Sequence, residues 1–130
     1  MKQAEKSLRL KTIFLIGGLS MLQPFITDPY LPSLPAVAKD LTVDLSVIQL
    51  SLSILTLGFA LGQLFAGPLS DSVGRKKPMY AAIFIYVTSA IICAWSPSVE
   101  VFFAGRILQG LSASALTVIG VSVMRDLYSG

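Results

Sequence analysis

The chain has 130 residues, with 10 Lys and Arg and 7 Asp and Glu, so charged residues make up 13% of it, where a soluble domain carries roughly 25%. With 54% apolar residues and a mean hydropathy of +0.75, the composition excludes a disordered tail, a collagen and a disulfide scaffold, and it argues against a soluble enzyme domain. The net charge of +3 does not point to nucleic acid, because the basic residues are distributed as in a membrane protein rather than as a binding patch.

Four stretches lack Asp, Glu, Lys and Arg altogether: 12–27, 45–70, 78–99 and 107–124. A bilayer takes about 20 mostly apolar residues per helical span, so the expected class is an all-α membrane protein with four transmembrane helices. In chain order the pattern predicts an inner arm over 1–11, a first span over 12–31 and an outer loop over 32–45. A second span over 46–67 and an inner connection over 68–77 follow. Then come a third span over 78–95, an outer loop over 96–100, a fourth span over 101–123 and an inner end over 124–130. Lys2, Lys6, Arg9, Lys11, Arg75, Lys76, Lys77 and Arg125 fall on one side, and Lys39 stands on the other with Asp40, Asp44 and Glu100. The positive-inside rule therefore places both ends of the chain in the cytoplasm. Tyr80 and Tyr128 are expected at the inner interface and Tyr30 and Trp95 at the outer one.

Local features refine these elements. The prolines at 29, 32 and 35 end regular helix on the outer side, and Asp44 or Ser46 is placed to cap the second span. Gly58 and Gly62 form a GxxxG spacing suited to close approach of two helices, and the fourth span, with Gly110 among several small residues, calls for equally close neighbours. Cys93 has no partner and reads as a small apolar residue within the third span.

Two charges lie where hydrocarbon should be. Asp28 is 16 residues beyond Thr12, about 24 Å from the inner face of a core about 30 Å thick. Arg106 enters the fourth span from outside and lies about 7 or 8 Å deep by the same rise. Their depths nearly coincide, which suggests that they face each other directly or through water, with Gln109 extending the cluster from the same helical face. The alternative for Asp28 is an ordinary cap at the outer end of the first span.

Three motifs carry a family resemblance. Gly67, Leu69, Asp71, Gly74, Arg75 and Lys76 match the signature loop G-x-L-a-D-r-x-G-r-k-x-x-l, with departures at Ser70, Ser72 and Met79. Arg106-Ile107-Leu108-Gln109-Gly110 is similar to R-x-x-q-G, and Asp28-Pro29-Tyr30-Leu31-Pro32 to D-x-x-L-P. Together they resemble the major facilitator superfamily, in its drug/proton antiporter branch near the bicyclomycin and chloramphenicol resistance group. The resemblance implies export of small amphipathic molecules in exchange for protons across the inner membrane, with no cofactor beyond the proton gradient. It implies one three-helix repeat plus the first helix of the next, with further helices of the carrier as partners beside lipid and substrate. It implies a pathway role for Asp28, Arg106 and Gln109 and a gating role for Gly67, Asp71, Gly74, Arg75 and Lys76. A membrane fragment without transport and a self-contained four-helix dimer are the alternatives. Enzymatic, metal and nucleic-acid functions have no motif to support them.

Overall fold

The computed structural model describes residues 2–21, 24–25 and 28–129, with the backbone alone at Leu19 and Ser20. Among these, five α-helices are described from end to end: α1 (Lys2–Ser20), α2 (Leu34–Asp40), α3 (Leu45–Val73), α4 (Lys76–Ala94) and α5 (Val99–Tyr128). A 3-10 turn, Leu31–Ser33, precedes α2.

The helix ends differ from the expected span boundaries for physical reasons. α1 starts in the inner arm, where Lys, Gln, Glu, Leu and Arg favour helix and Glu5 pairs with Arg9 one turn on at 2.9 Å. It ends at Ser20, four residues before Pro24, a residue with no N–H to give the Ser20 carbonyl. The first span is expected as continuous over 12–31; α1 ends at Ser20, and residues 22, 23, 26 and 27 lie outside the described ones. Three described helices, α3, α4 and α5, are long and apolar enough to cross a membrane.

The expected outer loop contains α2, which buries Leu34 and Ala38 against Ile48 of α3. Asp44 stands at the N-cap of α3, but its side chain makes no capping bond. Its backbone carbonyl instead accepts from Val47 at 3.0 Å and Ile48 at 3.3 Å. α3 runs past its expected end, through Pro68 to Val73, so most of the expected inner connection is helix. Ser70 and Ser72 donate to the carbonyls of Gly67 and Leu69, each at 3.0 Å. The turn is left to Gly74, at φ +88°, and Arg75; only glycine adopts that φ without strain.

α5 is the centre of the bundle: α3 packs on it most extensively, then α4, and the main contact of α1 is also with α5. Ser98 caps it by accepting from the Val101 N–H, and Glu100 and Arg125 sit in its first and last turns, where they complement the helix dipole. The distribution of side-chain sizes is the reverse of a soluble bundle. Small residues fill the contacts, including Ser51, Gly58, Gly62, Ala66 and Ser70 on one face of α3 and Gly105, Gly110, Ser112, Ala113 and Ser114 on α5. Phe14, Phe65, Phe84 and Trp95 point outward. The buried serines of α4 and α5 bond within their own helices, Ser89 to the Tyr86 carbonyl (2.7 Å), Ser112 to Leu108 (2.8 Å) and Ser114 to Leu111 (2.8 Å). This pattern suits a lipid solvent, in which close backbone packing rather than burial of large apolar groups joins the helices.

The closest approach is between α3 and α5. A Cβ added at Gly58 would stand 2.6 Å from the Ile107 carbonyl oxygen, and one at Gly110 would run into the Leu55 carbonyl and stand 2.8 Å from the Phe59 nitrogen. Each glycine is thus in contact with the backbone of the partner helix, which fixes the rotation of α5 and the direction in which Arg106 points.

Candidate functional site

Arg106 sits on α5 one turn before Gly110, and the glycine contact turns its side chain into the protein, leaving it only 6% exposed. Its Nη1 donates to Oε1 of Gln109 at 3.0 Å. Gln109 is itself 8% exposed. The guanidinium carbon lies 3.8 Å from the centroid of the Tyr30 ring and 5.2 Å from that of Phe102. Nε is buried without a hydrogen-bond partner among the described residues. Burying a guanidinium in an apolar setting is costly unless it finds acceptors. Here one amide and one aromatic face supply most of what the charge receives, and the buried Nε–H meets no acceptor among the described residues.

Asp28 is not in that first circle of contacts. It occupies an exposed turn, its N–H donating to the Pro24 carbonyl at 2.8 Å, and the described residues contain no ion pair between Asp28 and Arg106. A similar expected depth along two helices does not bring the carboxylate to the guanidinium. Asp28 lines instead an open groove of about 310 Å³ with Met21, Pro24, Phe25 and Pro29. Tyr30, two residues on, joins the two places. Its ring carries Arg106, its hydroxyl shares a 2.8 Å hydrogen bond with Ser51, which is fully buried on α3, and its ring centroid is 6.2 Å from that of Phe102. Tyr30, expected at the outer interface, is half-buried, with its ring on Arg106 and its hydroxyl on Ser51.

A second charged cluster lies at the opposite end of α5. Arg75 Nε donates to Oδ2 of Asp126 at 2.6 Å, and Arg75 Nη2 lies 3.5 Å from Oδ1 of Asp71. Asp71 and Arg75 stand four residues apart, a spacing that brings such side chains within reach of each other. Asp126 was not singled out, although its sign and its place on the inner side were visible; what sequence lacked was the crossing of α3, α4 and α5 that brings position 126 to position 75. Lys76 begins α4 as an exposed residue, and Gly67 has open space around it, with nothing within 4 Å of an added Cβ.

The family model of the Major Facilitator Superfamily matches residues 13–130. The chain belongs to the Major Facilitator Superfamily. Within that superfamily it is 44% identical over 122 residues to a Bacillus subtilis protein named an uncharacterized MFS-type transporter, YdgK, covering 94% of this chain and 30% of that protein. It is 40% identical to a bicyclomycin resistance protein homolog of Haemophilus influenzae, covering 90% of this chain and 29% of the relative. It is 36% identical to a chloramphenicol resistance protein of Pseudomonas aeruginosa, covering 92% and 28% respectively. The chain thus spans about 30% of the length of these curated relatives. No solved structure matches it. Its apolar helices and its superfamily are those of a multi-pass membrane protein.

Proposed function

We propose that this chain forms the first third of a carrier that exports drugs or similar amphipathic molecules in exchange for protons. The observation that carries the reading is Arg106: a guanidinium 6% exposed, held by Gln109 and an aromatic ring inside a small-residue helix contact, has no use in packing that an apolar residue would not serve better. The names of the drug-resistance relatives support the substrate class. The four-span count, the three-helix repeat with one further helix, the inner-membrane location with both ends cytoplasmic, and the remaining helices as partners belong to the same proposal.

In this mechanism Asp28 lies at the mouth of an apolar groove and takes either a proton or a cationic group from the outer side. The free Nε–H of Arg106 is the acceptor-seeking donor that draws an ionised carboxylate or a polar substrate atom towards the helix contact. Protonation cancels the charge that Arg106 attracts, so proton and substrate compete for one site, which is what exchange requires. Arg75, with Asp71 and Asp126, holds the inner end closed around Gly74, with Gly67 and Lys76 in the same gate.

The experiment is drug susceptibility together with drug-dependent proton release from everted vesicles in a pump-deficient host. It compares this chain alone, the reading frame carried to its end, and the latter with Asp28→Asn or Arg106→Ala. Exchange by the long form that both substitutions abolish, with none from the 130 residues alone, is the expected result. Exchange that survives Arg106→Ala would overturn the proposal, and activity of the 130 residues alone would show that four helices suffice.

A further inference from the structure

We infer that Tyr30 is a positioning residue for Arg106: its ring fixes the guanidinium, and its hydroxyl, locked to Ser51, ties the turn that bears Asp28 to α3 and α5. This role rests on the pathway reading of Arg106, and it assigns a residue outside the set that the motifs single out for that pathway. Three contacts converge on the one side chain. The guanidinium carbon stands 3.8 Å from the ring centroid, within the roughly 6 Å at which the negative face of an aromatic ring attracts a cation, and the attraction strengthens on desolvation. The Tyr30 hydroxyl is 2.8 Å from that of Ser51, which is fully buried. Phe102 closes the far side at a tilted 6.2 Å.

The arrangement compensates for a missing carboxylate. Arg106 has one hydrogen-bond acceptor, Gln109, and no acidic partner among the described residues. A ring face stabilises the cation without neutralising it, so the free Nε–H stays available for a carboxylate or substrate atom that comes and goes. A permanent ion pair would occupy it. Because Tyr30 is two residues from Asp28, any movement of that turn moves the ring, and with it the support of the guanidinium.

The test uses the reading frame carried to its end, with Tyr30 replaced by Phe, by singly and triply fluorinated Phe, and by Leu. Fluorine withdraws charge from the ring face at little change in volume, so a side chain that only fills space does not respond to it. Drug-dependent proton exchange is expected to fall in Tyr30→Phe, which loses the bond to Ser51, to fall further step by step with fluorination, and to drop roughly threefold to thirtyfold in Tyr30→Leu, the range that cation–ring contacts span from exposed to desolvated. A second readout does not depend on transport: modification of Arg106 by phenylglyoxal, measured by peptide mass spectrometry, should be slow in the parent and in Tyr30→Phe and fast in Tyr30→Leu. A flat response to fluorination in an active carrier, or unchanged labelling of Arg106 in Tyr30→Leu, overturns the assignment. An inactive parent whose labelling still follows the series refutes the transport reading and leaves the positioning role standing.

Discussion

The two ends of α5 each hold an arginine, and they hold it in opposite ways. At the outer end Arg106 is almost fully buried, receives one amide oxygen and two ring faces, and meets no carboxylate among the described residues. At the inner end Arg75 keeps about a quarter of its side-chain surface and lies between two carboxylates, Asp126 and Asp71, that are more than half exposed. Where water is available a full ion pair forms readily and contributes little to stability. Where water is excluded an unneutralised charge is expensive and is kept for what it can attract. One helix thus joins a costly, reactive end to an inexpensive, structural one.

The largest effect expected on this comparison comes from the helix contact that aims Arg106. Gly110→Val would force a side chain into the Leu55 carbonyl and the Phe59 nitrogen, which are backbone and cannot move aside. We expect a loss of about 3 kcal/mol or more, read as a fall in the melting temperature of the detergent-solubilised carrier. Gly67→Ala, with open space around it, should instead be neutral or stabilise by about 1 kcal/mol. Equal losses at both positions would mean that the α3 and α5 contact is not set by its glycines. The next effect lies at Gln109. Gln109→Leu strips Arg106 of its one described acceptor and should cost about 2 to 3 kcal/mol, whereas adding Arg106→Met to it should restore most of that stability while exchange stays absent. If the double variant is less stable than Gln109→Leu, the outer charge is not a net cost to the fold.

The sequence showed the membrane class and the three long apolar helices, because charge-free length alone specifies them. It also brought Gln109 to Arg106, since three residues along a helix lie on one face. It failed where three-dimensional crossing decides. Depth along two helices placed Asp28 and Arg106 at one level, but depth carries no information about rotation, and the turn at 28–30 directs Tyr30 rather than Asp28 to the guanidinium. Asp126 escaped notice for the same reason, being 51 residues from its partner Arg75. The inner connection over 68–77 follows from the charges between two apolar stretches, which mark where hydrocarbon ends and not where helix ends; α3 runs on through Pro68 to Val73.

The smallest effect sharpens the comparison most directly. A double-mutant cycle of Arg75→Gln and Asp126→Asn isolates the inner pair, whose 2.6 Å contact is short but half open to water. The coupling should be about 0.5 to 1 kcal/mol, because exposed pairs rarely exceed that range, and it should shrink towards zero in 1 M salt, where screening acts over about 3 Å. The modification rate of Arg106, a side chain only 6% exposed, should respond less to the same salt. A salt-resistant coupling at Arg75 would show that the inner end is covered in the complete carrier, and the contrast between the two arginines would then not lie in the helix that both of them contact.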